Sequence, residues 1–536
     1  MTNKKTKVVV IGGGHNGLIC ASYLAKAGYC VDLHESRDSV GGGCADLSIK
    51  SESKIPGLAH VSYGINSQIC RDLGLKDLIS NQTKLDTISL DTRGNHIKFF
   101  NNDISGNNVS DKDRQAFKQF RKDFRKYSRA LKSLMMNTPP RLKDMDGHDK
   151  LTLIKLGWNL RFGLGKKAMR EFLRIGGINI FDVLNEKFDN PAIKGAIAFD
   201  AVIGHQMGPR TPNSVLSLLQ KMSFEPDTCL HVTTNLSQVL RQTAESFGVK
   251  ITTNSHINKI NVQEGTCVGV ESGAGEQIDA DIVISNADAK STFLKLLGAQ
   301  HLDALFAHRV NSIRQDGAVA RVNLRLKKMP SIQNLSEGEM LNRLVIAPDM
   351  KYVEHAFNHS KYGEYSEQPI LEILFHAMTG GKDADQEIYM SISASFAPYK
   401  LKGGWTQHRD SFMNCIFETV SNYIPKFRQL VKSYELLTPE DIEKEYNCIG
   451  GHWHHGEMGI DQSFMMRPVH GSAQYSTPIK NLFLCGACAH PGGGLTGLPG
   501  YNAARQILRT YSGYRYRKCH IIPFLKIVHS KKGLMI

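Results

Sequence analysis

The sequence predicts an α/β fold, and three separate stretches of chain point to it. In the first stretch, Lys7 to Ile11 is typical of a short buried parallel strand, Leu18 to Ala27 of a helix, and Cys30 to Glu35 of a second strand. Glycines stand at both turns between them. These elements form one βαβ unit, which predicts neighbouring parallel strands.

Two later stretches have a similar character. Gly248 to Ile260, Val268 to Ser272 and Gln277 to Ser285 are typical of successive strands, the last two joined by a Gly-Ala-Gly turn. Leu482 to Cys485 is an apolar strand, followed by a glycine-rich loop and a helix from about Asn502 to Tyr511. The last stretch therefore repeats the arrangement of the first.

Two long inserts separate these stretches, and the length of 536 residues exceeds the usual size of one hydrophobic core. The inserts carry mixed helical and strand patterns, which predicts an α+β substrate domain built into the α/β domain. The expected boundaries are residues 1–74, 227–296 and 476–514 for the discontinuous α/β domain, 75–226 and 297–475 for the substrate domain, and 515–536 for a basic tail.

The net charge is strongly positive, because 66 Lys and Arg residues stand against 51 Asp and Glu residues, which leaves +15. The excess is concentrated in Lys112 to Arg174 and Arg515 to Lys532, so an anionic partner is expected at the surface. Nucleic acid is not expected, because neither stretch carries aromatic stacking platforms or a known recognition motif. A peripheral contact with an anionic membrane fits the charge.

The eleven cysteines are scattered, and the first predicted strand begins at about Val8, which leaves no room for a signal peptide. No stretch of the sequence is apolar enough to span a bilayer. These observations predict a protein of a reducing compartment, cytoplasmic and in peripheral contact with a membrane.

One segment of the first insert predicts an amphipathic helix, because its apolar residues recur at steps of three and four while cations crowd the opposite face. The apolar residues are Phe117, Phe120, Phe124, Tyr127, Leu131 and Leu134, and the cations are Lys118, Arg121, Lys122, Arg125, Lys126, Arg129 and Lys132. Two readings are open. The helix lies on an anionic membrane with its aromatic rings inward, or it packs its apolar face in the protein core.

The turn after the first strand carries the glycine pattern of a dinucleotide site. Gly12-x-Gly14-x-x-Gly17 follows a strand and opens a helix, so its glycines can make the tight turn, admit a pyrophosphate and pack helix on strand. Glu35 ends the second strand, where a carboxylate accepts hydrogen bonds from a ribose and repels a 2′-phosphate. The pattern predicts a dinucleotide without a 2′-phosphate.

Two further glycine-rich segments narrow the choice of dinucleotide. The run from Glu35 to Gly43, with Arg37 inside it, resembles the second FAD fingerprint of two-dinucleotide-fold flavoproteins, and NAD-dependent dehydrogenases do not need it. Leu484 to Gly497 is a strand end and a glycine loop that leads into a helix. Helix N-termini stabilise anions, here the negative charge that a reduced flavin develops. FAD is therefore the predicted cofactor.

Segments outside these loops match one family as well. Val283 to Ala287 reads Val-Ile-Ser-Asn-Ala, Asp461 is followed by Gln462, and Pro478 to Leu482 leads into the C-terminal block. With these motifs the chain resembles the phytoene desaturase family over nearly its full length, most closely the carotenoid ketolases of the desaturase type and the group of pyridine nucleotide-disulfide oxidoreductase domain-containing proteins. The resemblance implies a Rossmann-like FAD-binding domain with an inserted substrate domain, and it admits a mitochondrial location.

The resemblance also implies which residues hold the cofactor. Those expected at the ADP half are Gly12, Gly14, Gly17, Glu35, Arg37, Gly41 and Gly42, with Ile257 beside the adenine. Those expected along the phosphate and flavin are Gly486, Gly493, Gly494 and Leu495, with Leu495 or Thr496 offering an amide to the ring. The implied reaction, that of a desaturase or ketolase, is hydride transfer from a long apolar carotenoid-like or isoprenoid-like substrate to flavin N5.

No second strand-GxGxxG-helix unit with a terminal acid occurs in the sequence, so a nicotinamide domain is not expected. Electrons should then leave the flavin for oxygen or a quinone. The chain departs from the family at Leu230 to Leu236, where relatives usually carry a Gly-Gly-Met or Gly-Gly-x-Gly segment. This departure motivates an alternative function, that of a flavin-bound, weakly catalytic or non-catalytic scaffold at a membrane.

His490 is the candidate for acid–base catalysis, because it precedes the glycine loop that should touch the flavin. Cys485 and Cys488 have the spacing of a redox dithiol, but Cys485 ends a predicted buried strand. A structural role is therefore favoured for the cysteine pair.

The sequence His452-Trp453-His454-His455, with Glu457 close behind, has the residue types and short spacing of a zinc or iron site. A metal site needs further ligands, and no distant partner set accompanies these residues in the sequence. No metal is therefore expected.

Overall fold

Five short parallel strands form the first sheet, here called the Rossmann sheet. In spatial order they are Lys250–Thr252, Cys30–His34, Lys7–Ile11, Ile282–Ser285 and Leu482–Leu484. Every pairing between neighbours is parallel. The central strands are almost completely buried, which explains their continuous runs of Val, Ile and Leu. The predicted α/β fold, with distant stretches of chain joined in one sheet, is confirmed.

The computed structural model describes residues 5–49, 53–75, 83–100, 102–141, 145–224, 230–377 and 388–511. The predicted basic tail, 515–536, lies outside the described residues. The strands of the Rossmann sheet all come from the stretches assigned to the α/β domain, and the domain boundaries themselves stay predictions.

Helices from both ends of the described chain pack beside this sheet. The helix His15–Lys26 packs against Leu498–Tyr511 and against Leu236–Ser246. A Cβ atom at Gly500 would lie 2.1 Å from the carbonyl oxygen of Asn16, so only glycine allows this approach of the first and last helices.

Two predicted strands are each divided in the structure. Gly248 to Ile260 becomes Lys250–Thr252 and Ile257–Gln263, because Asn254 turns the chain with a φ of 51°. Gln277 to Ser285 becomes Gln277–Asp279 and Ile282–Ser285. In both cases one piece joins the Rossmann sheet, and the other joins a small antiparallel sheet whose middle strand is Thr266–Ser272.

The second large sheet has eight strands and belongs mainly to the inserts. In spatial order they are Val431–Leu437, Val319–Leu326, Ile388–Ser395, Leu371–Ala377, Arg343–Ile346, Thr87–Ser89, Ile97–Phe99 and Ile104–Ser105. All the pairings are antiparallel except that of Arg343–Ile346 with Thr87–Ser89. Two smaller sheets consist of Val61–Ser62, Leu230–Val232 and Lys84–Leu85, and of Asp46–Ile49 and Ser53–Pro56.

The inserts also carry most of the helices. They are Asp111–Met135, Gly147–Trp158, Lys166–Gly176, Ile180–Lys187, Pro191–Val202, Ser214–Phe224, Ala304–Asn311, Glu337–Met340, Met350–Lys361, Trp405–Ser421, Phe427–Leu430 and Pro439–Tyr446; the short helix Ser67–Leu73 precedes them. Within the described ranges, no helix combines the length and the apolar character needed to cross a membrane.

The predicted amphipathic helix is Asp111–Met135, and its apolar face packs in the protein core. Ser110 caps its N-terminus by accepting a hydrogen bond from the amide of Asp113. Phe120 and Phe124 are buried, and the helix packs along Ser214–Phe224. The reading that turns these aromatic rings toward a membrane is therefore wrong, and core packing accounts for the apolar face.

Candidate cofactor and substrate site

A cavity of about 670 Å³ lies where the carboxyl ends of the Rossmann strands face the second large sheet. Ile11 and His34, the last residues of the two N-terminal strands, line it. Arg343 and Glu372 line it from the second sheet. Ligands of open α/β sheets bind at this edge, outside the carboxyl ends of the strands.

The first glycine loop forms one wall of the cavity. Gly12 has a φ of +93°, and its amide donates to the carbonyl of His34 at 2.8 Å. A Cβ at Gly14 would lie 2.7 Å from Nδ2 of Asn286, and a Cβ at Gly17 would lie 2.3 Å from the carbonyl oxygen of Gly12. The turn therefore needs glycine at each position of the pattern.

Glu35 and Arg37 stand at the end of the second strand and line the same cavity. The Glu35 carboxylate accepts hydrogen bonds from the amides of Gly13 at 2.8 Å and Arg37 at 2.9 Å, which fixes it against the glycine loop. The Arg37 guanidinium lies over the ring of Tyr446 at 4.4 Å, and its buried Nη1 has no hydrogen-bond partner. An unpaired buried guanidinium nitrogen beside a dinucleotide loop fits a phosphate group.

The second glycine loop stands against the first. Gly41 and Gly42 have φ values of +120° and +57°. An isolated parallel β-bridge pairs Gly41 with Gly14 of the first loop. A Cβ at Gly41 would lie 2.5 Å from Cβ of Ser237, and one at Gly42 would lie 3.2 Å from Cα of Gly14. The two loops therefore form one glycine-lined surface.

The C-terminal glycine loop lines the cavity with Gly493, Gly494, Leu495 and Thr496. His15, at the start of the first helix, donates from Nε2 to the carbonyl of Gly494 at 3.2 Å. This bond ties the N-terminal and C-terminal glycine loops together, so the cavity wall is continuous between them.

Beyond the C-terminal loop the cavity becomes polar. A Cβ at Gly493 would lie 1.8 Å from Nδ1 of His454, so that imidazole is packed against the loop. The His454 ring stacks on that of His205, with 5.3 Å between ring centroids. The region beyond is called the polar chamber, and its members are His60, Asp200, His205, Ser217, Gln220, Lys221, Arg343, Glu372 and Ser393.

One ion-pair network organises the polar chamber. Arg343 donates to the carboxylates of Glu372 and Asp200, and His60 donates from Nε2 to Glu372 at 2.8 Å. Arg321 donates to Nδ1 of His60, which fixes the tautomer of that ring. Burial alone would raise the pKa of Glu372, but Arg343 and His60 outweigh it and hold that pKa below its ordinary value.

Residues 10–70 match the family model of the NAD(P)-binding Rossmann-like domain. The chain is similar to pyridine nucleotide-disulfide oxidoreductase domain-containing protein 2 of Mus musculus, with 27% identity over 94% of this chain and 93% of that protein. It is also similar to one of the limonene dehydrogenase polypeptides of Castellaniella defragrans, with 24% identity over 94% of each. The neurosporene-forming phytoene desaturase of Cereibacter sphaeroides is 24% identical over 49% of this chain and 50% of its own.

The chain is thus similar to desaturase-type oxidoreductases. Solved structures agree on the fold. An oxidoreductase from Methanosarcina mazei superposes with a TM-score of 0.57 and 15% identity, over 94% of this chain and all of that one. Putrescine oxidase bound to putrescine gives a TM-score of 0.60 with 12% identity, over 95% and 99%. The predicted resemblance is confirmed. The predictions of an oxidoreductase and of an FAD cofactor are confirmed as well.

The structure brings most of the predicted cofactor residues to one cavity. Those that line it are Gly12, Gly14, Glu35, Arg37, Gly42, Ile257, Gly493, Gly494 and Leu495. Gly17, Gly41 and Gly486 are not among the lining residues and pack behind the wall; a Cβ at Gly486 would lie 2.5 Å from the carbonyl oxygen of Asn286. These three glycines shape the loops, and the assignment of individual cofactor contacts stays a prediction.

His490 does not occupy the place that its sequence position suggested. It is fully buried, it is not among the cavity-lining residues, and its Nε2 donates to the carbonyl of Leu134 at 3.1 Å. Burial lowers its pKa to about 4. His490 therefore joins the C-terminal loop to the helix Asp111–Met135, and the geometry gives it no catalytic role.

The cysteine pair is buried as well. Burial raises the pKa of the Cys488 thiol to about 12 and that of Cys485 well above its usual range. Nucleophilic dithiol exchange needs a thiolate, so these groups are poorly suited to it. The structural role that the sequence favoured agrees with this placement.

The histidine-rich segment supplies cavity residues that the sequence analysis considered only as metal ligands. His454 and His455 line the cavity, whereas His452 lies behind them and accepts from the amide of His454 through Nδ1 at 3.2 Å. His205 and Lys221 were missed altogether, because no short motif surrounds either of them. The only sequence signal was the cluster of three histidines, which had the pattern of a metal site.

Proposed function

We propose that this chain is an FAD-dependent oxidoreductase in which a hydride passes from a long, largely apolar substrate to flavin N5, in the manner of a desaturase or ketolase. The observation that carries the proposal is the continuous cavity, which runs from the dinucleotide loops past Gly493 into the polar chamber. Such a cavity supports the binding of a redox cofactor and a substrate side by side. The carotenoid-like or isoprenoid-like nature of the substrate follows the named activities of the relatives.

The residues of the chain have separate tasks in this proposal. Glu35 and Ile257 hold the adenosine end, while Arg37 and the amides of the facing glycine loops hold the pyrophosphate. FAD, when bound, supplies the hydride acceptor. The amides of Leu495 and Thr496, at the start of the last helix, stabilise negative charge that develops on the flavin ring.

The acceptor of the electrons is proposed to be oxygen or a quinone, and the enzyme is proposed to meet its substrate at a membrane. An exposed surface of the first insert supports the membrane contact. Leu151, Ile154, Trp158, Phe162 and Leu173 are 47%, 66%, 63%, 60% and 62% exposed, and together they are called the apolar patch. Cations stand among them at Lys150, Lys155, Arg161, Lys166, Lys167 and Arg170. Apolar side chains among cations suit an anionic bilayer.

Purification after expression with excess riboflavin tests the cofactor. The protein should be yellow, with the absorbance spectrum of oxidised FAD. Glu35→Ala should weaken FAD binding about tenfold, because a charge-assisted hydrogen bond is lost. Glu364→Ala is the matched control, since Glu364 is an exposed acid that pairs with Lys402 away from the cavity. A colourless wild-type protein would contradict the proposal.

Anaerobic titration of the yellow protein with phytoene in detergent micelles tests the reaction. Transfer of a hydride should bleach the oxidised flavin, and oxygen or a quinone should restore it. If polyenes of every tested length leave the flavin oxidised while dithionite reduces it, the protein holds flavin without using it on such substrates. That result would favour the scaffold alternative.

A further inference from the structure

The helix Ser214–Phe224 presents polar groups to the cavity that have no hydrogen-bond partner. Ser217 and Gln220 line the polar chamber, are 2% and 1% exposed, and leave Oγ and Oε1 unpaired. His205, which is 2% exposed, leaves Nδ1 unpaired in the same chamber. Unpaired buried polar atoms cost free energy, so their concentration in one chamber indicates a bound polar group.

Lys221 adds a cation to this set. Its ammonium donates to two main-chain carbonyls, those of Asp200 at 3.0 Å and Ile203 at 2.7 Å. The two carboxylates of the chamber, on Asp200 and Glu372, are bonded to Arg343 instead. Among the described residues no carboxylate is bonded to Lys221, so one further hydrogen bond is open to a ligand. Burial lowers the pKa of Lys221 to about 7, and an anionic ligand beside the amine would raise that pKa and hold the ammonium form.

The position of this group relative to the cofactor loop is fixed by contacts. His454 is packed against Gly493, and His205 stacks on His454. Lys221 lines the same cavity as both imidazoles. Burial lowers the pKa values of both rings, and Lys221 adds to the lowering, after His452 in the case of His454. The cation therefore lies beyond the histidines, on the side of the C-terminal loop where a substrate would approach.

We propose that the polar chamber binds a carboxylate at one end of the substrate, with Lys221 as its counter-ion and Ser217, Gln220 and His205 as its hydrogen-bonding partners. The substrate class is then an apolar chain acid rather than a pure hydrocarbon. Ser217 can donate its hydroxyl proton, and Gln220 can accept from a water shared with the carboxylate. This inference rests on the proposed function, which it narrows to one class of substrate.

The charge of the chamber selects a carboxylate over other polar groups. An amine would meet Lys221 with the same charge. A phosphate carries up to two negative charges, whereas a single cation among the described residues of the chamber lacks a carboxylate partner. A hydroxyl would not stabilise the ammonium form of Lys221, whose pKa burial lowers to about 7, whereas a carboxylate would.

Titration of the FAD-loaded protein with octanoate tests the proposal, with 1-octanol and octylamine as matched ligands of the same chain length. Binding is followed by the perturbation of the flavin absorbance and, independently of the flavin, by calorimetry. Octanoate should bind at least about tenfold more tightly than 1-octanol, and octylamine more weakly than both.

Two variants test whether the preference for octanoate arises in the polar chamber. Lys221→Met should weaken octanoate binding about tenfold and leave 1-octanol binding unchanged, whereas Lys402→Met, which removes an exposed lysine paired with Glu364, should change neither. Because Lys221→Met also frees two carbonyls, Gln220→Glu is the second variant. It keeps the shape of the side chain and should repel octanoate selectively.

The outcomes separate this proposal from the one on which it rests. Equal affinity for octanoate and 1-octanol, or Lys221→Met and Gln220→Glu variants that bind octanoate like the wild type, overturns the carboxylate site even if polyenes reduce the flavin. Octanoate binding that depends on Lys221 supports the site. If such binding occurs and neither phytoene nor a polyene acid reduces the flavin, hydride transfer fails while the carboxylate site stands.

Discussion

Glycines at the cofactor loops are required by contacts that no other residue can make. Gly17 lies over the carbonyl of Gly12, and Gly500 lies over that of Asn16, at distances that leave no room for a Cβ. The first contact sets how closely the helix His15–Lys26 approaches the turn that it follows. The second sets how closely the last helix approaches the first. The shape of the cofactor cavity thus depends on the absence of a side chain at Gly17 and Gly500.

Gly17→Ala should destabilise the protein by about 1–3 kcal/mol and reduce its FAD content, because the added methyl group must push the Gly12 turn away. Thermal unfolding and the ratio of flavin to protein absorbance measure the two effects. The control is Gly157→Ala, on an exposed helical surface where an added Cβ meets no atom within 4 Å. It should leave the flavin content unchanged and raise stability by up to about 1 kcal/mol. Normal flavin content in Gly17→Ala would contradict the close approach.

Residues of the cofactor loops were predictable because their spacing is local. Glu35 and Arg37 lie within one turn of a strand end that the sequence marks clearly. His205, Lys221 and Arg343 were not predictable, since each comes from a different part of the inserts and they meet only through tertiary packing. His490 was misjudged for the opposite reason: its place beside the glycine loop is a fact of sequence, but its side chain turns toward the carbonyl of Leu134.

At the scale of single helices, the cationic residues of the first insert lie on helices of two kinds, which differ in whether their large apolar side chains are buried or exposed. Asp111–Met135 buries its aromatic residues, and its Lys118 pairs with Asp103 at 3.0 Å. Gly147–Trp158 and Lys166–Gly176 instead expose large apolar side chains, and the rings of Trp158 and Phe162 contact each other at 4.3 Å. Two exposed aromatic rings in contact, with further exposed apolar residues on the neighbouring helices, are typical of an interaction site.

Trp158→Ser combined with Phe162→Ser should weaken binding to vesicles that contain phosphatidylserine, because the apolar anchors are lost while the cations remain. Flotation of the protein with such vesicles measures the binding. The control is Tyr362→Ser, which removes an exposed aromatic residue outside the apolar patch and should leave vesicle binding unchanged. Flotation that is equal in the wild type and the double variant would remove the apolar patch from the membrane proposal.

At the scale of the whole molecule, buried histidines make folding sensitive to acid. Burial lowers the pKa of both His60 and His490 to about 4, against about 6.5 in an unfolded chain. As pH falls below 6.5 the unfolded state binds protons first, so stability that is complete above pH 6.5 is lost progressively toward pH 4. Each histidine accounts for about 3 kcal/mol of that loss.

The thermal midpoint should therefore fall steeply between pH 6.5 and pH 4.5. His490→Gln should flatten the fall, since it removes one of the titrating groups, although it lowers the midpoint at pH 8. His308→Gln, at an exposed histidine, should leave the profile unchanged. A midpoint of wild-type protein that is constant down to pH 4.5 would contradict the burial of these rings in neutral form.

The architecture was predictable in its α/β part and much less so in the inserts. Three stretches with strand and glycine signals were sufficient to predict the Rossmann sheet, because buried parallel strands are continuous apolar runs. The eight-stranded sheet was not predicted, since strands such as Val319–Leu326 and Ile388–Ser395 carry buried polar residues, Arg321 and Ser393 among them, in place of a continuous apolar run. These buried polar residues interrupt the pattern from which such strands are recognised.

Because the Rossmann sheet joins Lys7–Ile11, near one end of the described chain, to Leu482–Leu484, near the other, it can be completed only late in biosynthesis. The strand and the loop that closes the cavity are among the last described residues to leave the ribosome, long after the N-terminal βαβ unit. Until then the first helix lacks its partner Leu498–Tyr511, and its apolar surface is open to chaperones. Flavin capture is consequently a late step, and a ribosome that stalls within the second insert leaves a nascent chain unable to complete the cofactor site.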